Sequence, residues 1–135
     1  LEAVDRERLA VARAFGVEVD SAFDWLKRSY PDVTGDTLYQ RLRSNKAYAG
    51  IQSPTTLKNR HLIDDIPTGL VPLASLGELA GVETPAIRAL IDIGGILLER
   101  NFRAAGRTVE KLGLAGMSVD EILNFVRTGV TNENY

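Results

Sequence analysis

One thirteen-residue stretch, Arg60-His61-Leu62-Ile63-Asp64-Asp65-Ile66-Pro67-Thr68-Gly69-Leu70-Val71-Pro72, gathers a guanidinium, the chain's single imidazole and two carboxylates just ahead of a proline. An arginine is suited to clamp a carboxylate, because its planar fork donates two parallel hydrogen bonds. An aspartate at the mouth of a helix can orient an imidazole, or it can simply cap the free amides of the helix. The plain alternatives are a surface ion pair for Arg60 and a cap for Asp65. The chemical reading needs both side chains to face one cleft. His61 adjoins Arg60, so the two side chains are expected to diverge, and His61 is read as pointing away from the pair. Asp64 is read as a solvated or first-turn acid that complements the helix dipole.

Two smaller polar groups stand elsewhere. Asn45, Lys46 and Tyr48 cluster at a predicted helix end, and Gly106-Arg107-Thr108 reads as a turn with one exposed cation. No glycine-rich phosphate loop is present, and Gly113-Leu114-Ala115-Gly116 lacks the required spacing and context. No cofactor-binding residue is therefore assigned in this chain, and the chain alone is not expected to hold a dinucleotide. With one histidine and no cysteine, no transition-metal site is expected either.

The elements that must position Arg60 and Asp65 read as helices. The 135 residues suffice for a single domain with its own core, and 44% hydrophobic with 25% charged residues is a globular profile. Net charge is −2 and no basic run interleaves with aromatics, which argues against nucleic-acid binding. The apolar runs are too short for a membrane span, and the charged N-terminus is no signal peptide, so a cytoplasmic location is expected. The chain lacks an initiator Met and starts in mid-pattern, as a piece of a longer protein would.

Helical spacing recurs nearly everywhere. Val4, Leu9, Ala12 and Phe15 mark a first helix stopped at Gly16. Ser21 caps a second, through Ala22, Trp25, Leu26 and Tyr30. Asp36 is read as the cap of a third, holding Leu38, Tyr39 and Leu42. Residues 48–56 read as a loop. Pro67 opens a helix to about Ala80, with Pro72 kinking or tightening its first turns. Thr84-Pro85 predicts a hydroxyl cap and a helix start. In the helix that follows, Gly94-Gly95 costs about 1 kcal/mol per glycine and points to close approach of another backbone or a ligand. The leucine, isoleucine and valine stripes are read as core. Thr108 is read as starting a short helix to Leu112. Ser118-Val119-Asp120-Glu121 is a capping box for a last helix, and the tail Thr131–Tyr135 is read as frayed. The expected architecture is an all-α domain of about six to eight helices spanning residues 1–135.

With these words in place, the chain resembles the C-terminal helical domain of the octopine/nopaline (opine) dehydrogenase family. The resemblance is carried by residues 39–48 (YQRLRSNKAY), 60–72 (RHLIDDIPTGLVP), 80–85 (AGVETP) and 106–116 (GRTVEKLGLAG), in the family's order. The pattern R-x-x-x-[DE]-D-[IV]-P-x-G-L-V is its most specific part. The resemblance implies a helical bundle like the C-terminal domain of 6-phosphogluconate-dehydrogenase-like two-domain oxidoreductases. It implies an NAD- or NADP-dependent enzyme that condenses an amino acid with a 2-oxo acid and reduces the imine. An N-terminal Rossmann domain, absent from this chain, would bind the cofactor. By residue matching, Asp65 corresponds to the catalytic Asp of a His–Asp pair and Arg60 to the carboxylate-binding Arg. The family's catalytic His would lie upstream of Leu1, and His61 does not stand in for it. His61 sits where an aromatic residue is usual, and Asp64 replaces a commoner Glu. A homodimer is a further partner compatible with the family.

Two alternatives remain at this stage. One is the helical domain of a ketopantoate-reductase-like or glycerol-3-phosphate-dehydrogenase-like reductase, which would use a catalytic lysine, with Lys46 as candidate. The other is a non-catalytic helical interaction module.

Overall fold

A computed structural model of the chain describes residues 1–130, so the tail Thr131–Tyr135 lies outside the described residues. Among the described residues there is no strand. The elements are α1 (Glu2–Ala14), α2 (Ala22–Ser29), α3 (Leu38–Ser44), a 3-10 turn (Lys46–Tyr48), α4 (Arg60–Ile63), a π turn (Ile66–Leu70), α5 (Val71–Leu79), α6 (Pro85–Leu98), α7 (Phe102–Ala105) and α8 (Val119–Thr128). The all-α expectation holds. Three buried clusters hold the domain together. The central one comprises Ile66, Val71, Ala74, Ile87, Ile91 and Phe102. Leu26, Val33 and Leu38 pack α2 on α3, and Val109, Leu114 and Ile122 seat α8.

Local signals in the chain set several boundaries. The Ser21 hydroxyl accepts the Asp24 amide, and Ser118 with Glu121 forms a full capping box. Gly129 ends α8 in the left-handed conformation, as a C-terminal glycine should. Other boundaries differ from the sequence reading. Thr37, not Asp36, caps α3, with Gln40 returning the second bond of a capping box. Residues 108–112 form turns rather than a helix, with Leu112 N–H donating to Thr108 O at 2.9 Å without further propagation. One such bond cannot sustain a helix against the cost of nucleation.

Thr84 does not cap α6. Its hydroxyl is buried without a hydrogen-bond partner. The Glu7 carboxylate of α1 takes the role instead, accepting the Ala86 and Ile87 amides at 2.7 and 2.8 Å. A carboxylate at that helix end satisfies two orphan donors and complements the dipole. Glu7→Ala is expected to lower unfolding free energy by about 1–2 kcal/mol in urea titration. Thr84→Val, which removes an unpaired buried hydroxyl, should cost less.

The apolar residues of α6 are not all core. Ile87, Ile91 and Gly94 are buried, but Leu90, Ile93, Ile96 and Leu97 are exposed. A helix that is apolar around most of its circumference buries only the face turned to its neighbours, here α1, α5, α7 and the π turn.

Candidate functional site

The segment singled out by its chemistry folds as one helical turn, a π turn and then α5. Asn59 starts it, its side-chain oxygen accepting the His61 amide at 3.0 Å. Pro72 explains the π turn. In α register its ring would press on the carbonyl of Thr68, and it has no N–H to give. The chain inserts one extra residue instead. The Val71 amide donates to Ile66 O, five residues back. The expected tightening is thus a local widening.

Leu62, Ile66 and Leu70 turn inward onto the central core. The residues just before the first two, His61 and Asp65, consequently lie on the flank. His61 Nδ1 stands 3.6 Å from Asp65 Oδ2, and both side chains are about two-thirds exposed (67% and 68%). This corrects the expectation that His61 points away from Asp65. A spacing of four residues places two side chains on one helical face. At 3.6 Å the pair is longer than a normal hydrogen bond and attracts only when the imidazole is protonated.

Arg60 is exposed and makes no side-chain hydrogen bond or ion pair among the described residues. It is five residues from Asp65, roughly 140° around an ideal α-helix. The structure does not enclose Arg60 and Asp65 in one cleft within this chain. Neither residue lines the clefts of about 550 and 340 Å³ that open elsewhere. The first is lined by Asp5, Arg8, Trp25 and Arg28 among others, and the second by Ser75, Glu78, Arg88 and Arg103. Asp65 precedes the π turn but makes no capping bond, so its carboxylate is not spent on the helix end. Asp64 contributes its carbonyl, which accepts the Thr68 hydroxyl at 2.6 Å.

The remaining polar groups are structural in this arrangement. Asn45 is buried, and its Oδ1 caps the 3-10 turn through the Ala47 amide at 3.0 Å. Lys46 is exposed on that turn. Tyr48 packs edge-on to Tyr30, with ring centroids 5.7 Å apart. Burial, followed by its hydrogen bond with Tyr30, raises the Tyr48 phenol above its ordinary value. Among the described residues no group of three or more His, Cys, Asp or Glu could hold a metal ion. No described helix is long and apolar enough to cross a membrane. What sequence reasoning missed is the support: the Asn59 cap, the π turn and the Gly106-Arg107 backbone behind it. The two prolines five residues apart, Pro67 and Pro72, were the available signal for the π turn.

Known proteins share this arrangement of words and helices. Residues 1–98 match the family described as NAD/NADP octopine/nopaline dehydrogenase, alpha-helical domain. An opine dehydrogenase from Arthrobacter sp. (strain 1C) is 43% identical over 125 residues, which is 93% of this chain and 34% of that protein. A vitopine synthase from Allorhizobium ampelinum is 27% identical over 124 residues, 92% of this chain and 34% of that protein. The chain spans about a third of the length of these curated relatives. A solved octopine dehydrogenase in complex with NADH and agmatine superimposes with a TM-score of 0.78 at 23% identity, covering 99% of this chain and 39% of that one. A second, with NADH and L-arginine, gives 0.75 at 23% identity and covers 100% of this chain and 39% of that one. The solved structures establish the shared fold, and the match over residues 1–98 establishes that the chain belongs to the octopine/nopaline dehydrogenase family, as its alpha-helical domain.

Proposed function

We propose that this chain is the substrate-binding and catalytic helical half of an NAD(P)-dependent opine-type dehydrogenase that reductively condenses an amino acid with a 2-oxo acid. The observation that carries the reading is that Arg60 and Asp65 are both exposed and that neither is spent on the fold. A cation suited to carboxylates opens α4 and an aspartate that makes no capping bond precedes the π turn, both exposed and bound to nothing that the fold of the domain requires except the loose His61 contact. Such groups are available to a ligand and to a second domain that closes over them. On this reading residues 1–135 are one helical domain, and the rest of the polypeptide includes a Rossmann domain that holds the cofactor. The structurally similar octopine dehydrogenases are described with NADH.

The cofactor would supply a hydride to the imine carbon. The residues of this chain do the rest of their share by position and charge. Arg60 would hold the oxo-acid carboxylate through paired hydrogen bonds, so that the reacting carbon is presented in one orientation. Asp65 would accept a hydrogen bond from an imidazole of the neighbouring domain, fix its tautomer and stabilise its protonated form. That imidazole would transfer protons in the neutral range, where carbonyl addition and loss of water need them. The partners on this reading are the cofactor domain, the two substrates and a second copy of the protein.

The test is a matrix of amino acids against pyruvate, 2-oxoglutarate and other oxo acids, run on the full-length protein with NADH or NADPH and followed by absorbance. Amine-dependent oxidation of the cofactor with at least one pair is expected; oxidation by oxo acids alone would point to a simple keto-acid reductase.

The 3.6 Å approach of His61 to Asp65 supports a second reading, in which the His–Asp pair lies wholly within this chain. His61→Phe separates the two. With an upstream imidazole in charge, the variant should keep kcat within about threefold of the parent. Loss of general acid–base catalysis would instead cost about 10²–10⁴-fold.

A further inference from the structure

The π turn strands one backbone acceptor. In an α-helix the Pro67 carbonyl would accept the amide of residue 71, but that amide donates to Ile66 O. Residue 72, next in line, is a proline with no N–H. Pro67 O accepts the Arg107 amide instead, at 2.9 Å. An acceptor left over by an irregular turn is thus satisfied from a distant loop.

One glycine lets that loop come close, and a second lies against the turn itself. Gly106 is buried, and a Cβ added there would lie 2.6 Å from Val71 Cβ and 2.8 Å from Phe102 O. Gly94 of α6 faces the π turn itself. A Cβ on Gly94 would overlap Ile66 Cδ1, while its next neighbours stand at 3.8 Å. Ile66 is only 4% exposed and follows Asp65 directly, so the seat of Ile66 sets the direction in which Asp65 leaves the chain. A paired fork from Arg103 to Asp92, at 2.8 and 2.9 Å, ties α7, and with it Gly106, to α6. The Arg103 hydrogen bonds hold the Asp92 carboxyl below its ordinary value.

We propose that Gly94 and the Gly106–Arg107 turn act together as a positioning device: they lock the π register and thereby aim the Asp65 carboxylate. The inference rests on the assignment of Asp65 as the carboxylate of the catalytic pair. It gives the GRTVEKLGLAG word a task at a site more than thirty residues away in sequence. Gly94 and Gly106 touch no substrate on this view. They act through Ile66 and Pro67.

The experiment uses the full-length protein and its best substrate pair. Gly94→Ala should lower kcat by about tenfold or more, because a misplacement of about 1 Å costs up to 10²-fold. The oxo-acid KM should stay within about twofold, because Arg60 lies on α4, ahead of the turn. Ile66→Val added to Gly94→Ala removes the one overlapping methyl and should restore kcat to within about threefold of the parent. That rescue is a readout which general destabilisation would not give. Wild-type kcat in folded Gly94→Ala overturns the proposal, as does a loss that Ile66→Val fails to restore. If Gly94→Ala alone does not fold, Ile66→Ala carries the test by emptying the seat: folded Ile66→Ala with an undiminished kcat overturns the proposal, and a selective loss of kcat supports it. Asp65→Asn is measured alongside. Undiminished turnover there sinks the underlying assignment, whereas loss in Asp65→Asn with none in Gly94→Ala sinks the positioning device alone.

Discussion

Asp65→Asn in the full-length protein is expected to lower kcat by about 10²–10⁴-fold, with substrate KM values little changed. The substitution keeps the shape of the side chain and removes its charge. An asparagine can present its amide nitrogen to an imidazole and favour the wrong tautomer, and it no longer stabilises the imidazolium that forms during proton transfer. The fold should not suffer. Asp65 is about two-thirds exposed and makes no capping bond, so its replacement removes no interaction that the π turn needs. A loss of kcat at unchanged melting temperature is the expected signature. Comparable loss of kcat and of stability would show that Asp65 serves the turn rather than the reaction.

Arg60→Ala is expected to raise the KM for the oxo acid by about 100-fold or more, with a smaller fall in kcat. Hydrogen bonds to charged groups contribute about 1.5–3 kcal/mol each, and a carboxylate clamp makes two. The kcat loss follows from misplacement of the reacting carbon rather than from lost chemistry. Arg60→Lys should recover only part of the affinity, since an ammonium cannot reproduce the planar fork. Arg60 makes no side-chain bond among the described residues, so stability should be unaffected. Steady-state titration of the oxo acid at saturating amine checks the outcome. An unchanged KM would remove Arg60 from the substrate site and favour a surface role.

Much of the scaffold was legible because it is local. Ser21, Ser118 with Glu121, Pro85, Gly129 and the periodicity of α6 act on backbone within a turn of themselves. Gly94 was legible as a point of close approach, but the expected backbone or ligand is there the Ile66 side chain, and it is Gly95 that meets a backbone atom, Arg100 O. The Thr84 cap was misread for an instructive reason. Threonine before proline is a sound local signal, but Glu7 supplies a stronger acceptor from 79 residues away, and the hydroxyl is left over. Residues 108–112 failed in the opposite sense: a plausible start lacked the packing that lets a short helix persist.

The sequence by itself determined that this protein is helical, and it singled out Arg60, Asp65 and the words around them as the candidate site. Those features rest on residue type and on spacing within about four positions, where a helix makes its own neighbours. Only the tertiary structure decided how the segment is presented. It left Arg60 exposed without a side-chain partner among the described residues, whereas the His61–Asp65 pair follows from their four-residue spacing alone. It converted an expected proline kink into a π turn whose stray carbonyl is satisfied by Arg107. It also chose which face of α6 is buried. The Arg107–Pro67 bond and the buried face of α6 depend on groups far apart in the chain meeting at one acceptor or one surface, and no local pattern records which of them wins.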